Sequence, residues 1–86
     1  MSEETLSQGM RDACRIMGQS LYSTDRFVRS ALEWLGTAGH VWCEFHEDSW
    51  SVYGEDWFAG DETLPWALVA AVRTVEAREE VLGGKP

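Results

Sequence analysis

Apolar residues recur along this chain first at helical spacing, then in alternation, then at helical spacing again. Leu6, Met10, Ala13, Cys14 and Met17 lie three or four positions apart and would form one stripe on a helix. The spacing predicts a helix over residues 3–17. Ser2 can cap it, and Glu3 and Glu4 fall in its first turn, where the helix dipole favours anions. Gly18 is a natural stop, while Gly9 weakens the interior. A second helix is announced by the cap cluster Ser23-Thr24-Asp25 and carries Phe27, Val28, Ala31, Leu32 and Leu35 on one face. Arg26 and Arg29 face outward, and Gly36, with Gly39 behind it, ends the helix.

From His40 the period changes to two. Val41, Cys43 and Phe45 alternate with His40, Trp42 and Glu44, as expected of a strand with two unlike faces. Glu47-Asp48-Ser49 has turn chemistry. Trp50 and Val52 then alternate with Ser51, Tyr53 and Glu55 in a second strand. An isolated hairpin is marginal in water, so a third strand from Trp57-Phe58, or a second copy of the chain, is expected to complete the sheet. A third helix is predicted to start at Asp61 or Thr63, with Pro65 in its first turn, and to reach Leu82. Leu64, Leu68, Ala71, Val72 and Val75 would be its core face, with 83–86 a disordered tail. The pattern predicts an α+β fold: three helices packed on a small two- to three-stranded antiparallel sheet, as a single domain over 1–86.

Composition sharpens this picture through charge. The chain has 86 residues and a formal net charge of −8. Between Ser30 and Val72 there is no Lys or Arg, against Glu33, Glu44, Glu47, Asp48, Glu55, Asp56, Asp61 and Glu62. All five tryptophans lie in the same stretch. Such a surface repels DNA, RNA and anionic lipid, so no direct nucleic-acid or membrane partner is expected. A basic surface on a host protein or nucleoprotein complex fits instead. Two cysteines are too few for a disulfide scaffold, and no apolar run approaches the roughly 18 residues of a membrane span. The opening Met-Ser-Glu-Glu lacks a secretory pattern, so a cytoplasmic location is expected.

Three stretches resemble a known family. Met10-Arg11-Asp12-Ala13-Cys14-Arg15-Ile16-Met17-Gly18 is similar to the opening helix of the phage "ABA sandwich" domain. Tyr22-Ser23-Thr24-Asp25 looks like the start of that family's second helix, and Thr63-Leu64-Pro65-Trp66-Ala67 resembles its last. The match runs in order over roughly residues 10–80. It departs at Gln19, where the family has an aromatic, and in a shorter loop between Gly18 and Tyr22. The resemblance implies a phage or prophage origin, a host bacterial cytoplasm and an α/β/α sandwich-like layering. It implies no reaction, cofactor or catalytic residue.

Geometry decides the candidate chemistry. His40, Cys43 and His46 have metal-ligand types, but on a strand the histidines lie about 20 Å apart and the thiol faces the other way. The same alternation separates Cys43 from a histidine base. Glu55-Asp56 and Asp61-Glu62 read as solvated turn acids, with no apolar wall to make either a general acid. Gly36-Thr37-Ala38-Gly39 precedes a strand and lacks the lysine of a phosphate loop. Neither an enzyme nor a cofactor is expected. The expected role is that of a binding protein, an anti-CRISPR-like or DNA-mimic inhibitor of a host nucleic-acid-binding or defence complex. Glu44, Glu47, Asp48, Glu55, Asp56, Asp61 and Glu62 would form one contiguous steering patch. Trp42, Tyr53 and Trp57 would be its apolar anchors. The alternative is a homodimeric phage structural or accessory protein. Helices on both faces of the sheet would bury Trp42, and helices on one face would expose it.

Overall fold

Every helix begins or ends where the sequence supplies a chemical reason. The computed structural model describes residues 8–19, 23–37 and 39–83, with 79–83 as backbone only. Helix α1 covers Gln8–Met17, and the expected earlier turns lie outside the described residues. It stops at Gly18, whose φ of 74° is open to glycine. The Gln19 N–H donates to the Cys14 carbonyl at 2.9 Å and the Gly18 N–H to the Arg15 carbonyl at 3.1 Å. These paired bonds satisfy carbonyls that the helix end would leave orphaned. Helix α2 covers Thr24–Gly36, and extended Ser23 caps it by accepting the Arg26 N–H at 3.3 Å.

The strands are β1, Trp42–His46, β2, Ser49–Tyr53, and β3, Phe58–Asp61, antiparallel in the order β1-β2-β3. The sheet is thus completed by this chain's own third strand. Glu47 and Asp48 form the β1–β2 turn with φ of 48° and 67°. Positive φ at both positions matches the right-handed twist of a two-residue hairpin. Helix α3 covers Leu64–Gly83. The Thr63 hydroxyl accepts the Trp66 N–H at 3.4 Å and its carbonyl accepts the Ala67 N–H at 2.9 Å, so Thr63 opens this helix. Asp61, the other expected start, belongs to β3, and its carboxylate accepts the Glu62 N–H at 2.7 Å.

Helix α3 organises the layers. Besides the expected Leu68, Ala71, Val72 and Val75, it buries Ala67 and Val69. Over residues 64–78, whose side chains are described, only a narrow stripe through Trp66, Arg73 and Ala77 is exposed. A helix apolar over most of its circumference needs cover on more than one side. Strands β2 and β3 supply it on one side, and α1 and α2 on another. Phe27, Ala31 and Leu35 of α2 and Met10, Ala13, Cys14 and Met17 of α1 join Val52 and Ala59 of the sheet in one core. The layer order is therefore sheet, α3, then α1 with α2. It differs from an α/β/α order in that a helix, not the sheet, is the middle layer.

Two glycines are fixed by close approach of tryptophan rings. A Cβ on Gly9 would lie 2.6 Å from the Trp66 ring, which explains glycine inside α1. A Cβ on Gly54 would lie 2.1 Å from the Trp57 ring, and the Gly54 N–H donates to the Trp57 carbonyl at 2.9 Å. Gly54→Ala must therefore displace a half-buried indole or open the β2–β3 turn. It should cost about 1–3 kcal/mol, the usual range for overpacking. Thermal unfolding checks this, with Tm falling roughly 4–8 °C per kcal/mol in a domain of this size. An unchanged Tm would contradict the packing described for Trp57.

Candidate functional site

Strand register decides which side chains meet. Trp42 pairs with Tyr53, and Tyr53 with Phe58, so three aromatics form a row straight across the sheet. They lie opposite the Cys43, Val52 and Ala59 row that faces the core. The Trp42 and Tyr53 rings are stacked, with centroids 5.3 Å apart and planes 10° from parallel. Tyr53 and Phe58 meet at 5.2 Å with tilted rings, and His40 adds a ring 5.4 Å from Trp42. Such pairs contribute about 0.5–1.5 kcal/mol each beyond their burial, which favours the arrangement of the row seen here.

This row faces solvent. Trp42 is 41% exposed and Phe58 57%, and Tyr53 is half-buried. Among the described residues no helix covers the outer face of the sheet. Of the two arrangements open to the sequence, the structure has the one in which Trp42 is a surface residue. The next row outward is Glu44, Ser51 and Gly60, and the carboxylate of Glu44 lies 3.1 Å from His46 Nε2.

The acidic side chains do not form one contiguous patch. Glu47 and Asp48 sit at the β1–β2 turn, and register brings Asp61, and with it Glu62, to the same end of the sheet. Glu55 and Asp56 occupy the β2–β3 turn at the other end. The length of a strand, roughly 15 Å, separates the two groups. The expectation of a single patch is corrected for a geometric reason: consecutive turns of an antiparallel sheet lie at opposite ends. Asp56 is also paired, its carboxylate bonded at 2.6 Å to Arg78 of α3. All these acids are exposed. The aromatic row therefore has carboxylates on both of its sides, toward the two ends of the strands, with Glu44 beside it.

Trp57 lies outside the row: it is half-buried, packed against the core with its ring over Gly54. Phe58 takes its place in the row. The signal is register: Tyr53 pairs with Phe58, so the two share a face, whereas a slip of one residue would have brought Trp57 there instead. Phe45 departs in the other direction. It lies on the core side of β1, yet is 56% exposed and meets Trp50 at 5.2 Å. The Cα atoms of β1 all lie more than 8 Å from every described helix, so β1 projects past the helical cover.

Other features are modest. Shallow depressions on the helical layer are lined by Ser23, Asp25, Arg26, Arg29 and Ser30, and by Asp12, Arg15, Ile16, Arg73 and Glu76. Among the described residues no three His, Cys, Asp or Glu side chains gather closely enough for a metal. Among them, too, no helix is long and apolar enough to cross a membrane. Neither cysteine is in a disulfide; Cys14 is buried and Cys43 half-buried. No protein-family model, curated protein or solved structure matches the chain.

Burial pushes the Cys43 thiol above its ordinary pKa, because desolvation penalises the thiolate. The thiolate is the reactive form, so Cys43 should alkylate more slowly than a small free thiol near pH 8. Its rate should keep climbing as pH rises past the ordinary thiol value. Iodoacetamide labelling read by peptide mass mapping separates Cys43 from Cys14. A Cys43 rate equal to or above that of the free thiol would contradict the assignment.

Proposed function

We propose that this chain is a binding protein that captures a basic protein surface through the open face of its sheet. The observation that carries the reading is the exposed Trp42–Tyr53–Phe58 row, set in a stretch whose fixed charges are all negative. Large aromatics account for much of the energy at protein interfaces, and exposed rows of them mark such sites. Carboxylates around them favour encounter with positive partners and disfavour nucleic acid and anionic membranes. Tyr53 and Trp42 are held against one another, so little side-chain freedom is lost on binding.

The fitting partner is a lysine- and arginine-rich surface of the kind that holds nucleic acid. Occupying it would exclude the nucleic acid, which is how a DNA-mimic inhibitor of a host complex would act. The motif resemblance to the phage domain supports a bacterial host cytoplasm as the setting. The homodimer reading draws on the same exposed row. A face-to-face pair of copies, each of net charge −8, would set acids against acids.

The test is capture from bacterial lysate with three baits: the parent, Glu44→Gln/Glu47→Gln/Asp48→Asn/Glu55→Gln, and Trp42→Ala/Phe58→Ala. Asp56 is left intact because neutralising it also breaks its bond to Arg78. The parent should retain a basic protein that both variants lose, each weakening binding about tenfold or more, as hot-spot truncations do. Binding should also fall as salt rises from about 0.1 M to about 1 M, where the screening length shrinks from ~10 Å to ~3 Å. Equal retention by all three baits would refute the reading. A concentration-dependent dimer that protects Trp42 would favour the homodimer.

A further inference from the structure

We infer that the edge of β1, which no other described strand pairs, takes an extended segment of the partner as a fourth, antiparallel strand, in which basic and apolar residues alternate. This deepens the reading above and rests on it.

Two independent features fix which groups of β1 are unpaired. His46 and Ser49 flank the two-residue Glu47-Asp48 turn, so they exchange hydrogen bonds, as flanking pairs of such hairpins do. Alternation then assigns Glu44–Ser51 and Trp42–Tyr53 as the other bonded pairs. The second feature lies on the far side of β2. The Gly54 N–H donates to the Trp57 carbonyl, so even-numbered positions of β2 bond toward β3, leaving Ser49, Ser51 and Tyr53 for β1. Both routes leave the N–H and C=O of Cys43 and Phe45 pointing away from the sheet.

An edge of this kind is usually guarded. Proteins blunt it with charged side chains, lysine above all, with proline, a bulge or a very short strand, or with a covering helix or loop. Trp42 to His46 is five residues long and carries Glu44, but it has no lysine and no proline, its pairing with β2 runs unbroken, and its Cα atoms lie more than 8 Å from every described helix. Each of its faces exposes one large aromatic, Trp42 on one and Phe45 on the other. The β1 strand thus offers an added strand backbone partners and side-chain partners together.

Charge chooses the occupant. Residues opposite Cys43 and Phe45 would lie on the core side, beside Phe45 and the margin of the helical cover, and should be apolar. Their neighbours would lie on the outer face, beside Trp42 and Glu44. A lysine or arginine there can reach the Glu44 carboxylate and sit over the Trp42 ring. A second copy of β1 brings Glu44 and no cation, and with it the acids of its own turn. The segment is therefore basic on one face and apolar on the other. Antiparallel addition continues the pairing already present and is the more stable sense.

The experiment uses the full chain and a short capped peptide alternating lysine with valine. Two isomers carry N-methyl groups, one on the valine amides and one on the lysine amides. In an antiparallel fourth strand the valine amides face Cys43 and Phe45, and the lysine amides face outward. Methylating the valine amides should weaken binding about tenfold or more, since several backbone bonds are lost together. Methylating the lysine amides should leave it near the parent value. The parent peptide should also slow amide exchange at Cys43 and Phe45. Equal binding by both isomers, loss confined to the lysine-methylated one, or no binding by the parent peptide would overturn strand addition. Equal binding by both isomers that is still lost on Trp42→Ala/Phe58→Ala would leave the open-face reading standing, so the two failures are distinguishable.

Discussion

Burial of α3 on two sides constrains everything around it. Leu68, Val69, Val72 and Val75, with Ala67 and Ala71, occupy more than half of its circumference. Each large apolar side chain contributes about 1.5–3 kcal/mol when removed from water, so the helix cannot be left half-covered. Strands β2 and β3 cover one side and α1 and α2 another. With every described helix committed to that work, the second face of the sheet stays open. The β1 strand, farthest from α3 in the order of the sheet, keeps cover over Cys43 on its inner face and loses it at Phe45.

The alternation of the strands then sorts the chemistry. One parity sends Cys43, Val52 and Ala59 inward, and the other sends Trp42, Tyr53 and Phe58 outward. The outward row would cost solubility on a neutral protein. Here the strands and turns carry carboxylates and no lysine or arginine, so the row stays hydrated at its margins while repelling copies of itself. The two turns place those carboxylates on opposite sides of the row, at the two ends of the strands, a bracket rather than a patch. A positive partner can straddle the aromatics and meet acid on either side.

Much of this was legible in the sequence, for local reasons. The caps at Ser23 and Thr63, the stop at Gly18 and the alternation from Val41 to Tyr53 are short-range signals, and each sits where the residues placed it. What was not legible depended on distant parts of the chain. The spread of Glu55 and Asp56 away from Glu47 and Asp48 follows from strand connectivity, which charge counting along a sequence ignores. The burial of Trp57 follows from a close approach to Gly54 that no periodicity encodes. Gly9, a blemish in a helix read by propensity, is the seat of the Trp66 ring. The exposure of Phe45 depends on how far α3 reaches across the sheet, which helix length alone does not give.

The central claim is that the outer face of the sheet is open to water. Hydroxyl-radical footprinting of the whole protein tests it directly, because Phe58 and Phe27 carry the same ring in opposite settings, 57% exposed and 0%. The account predicts rapid oxidation of Phe58 and Trp42, slow oxidation of Phe27, and the same ratio on dilution. Protection of Phe58 and Trp42 to the level of Phe27 would contradict it, since the row would then be covered.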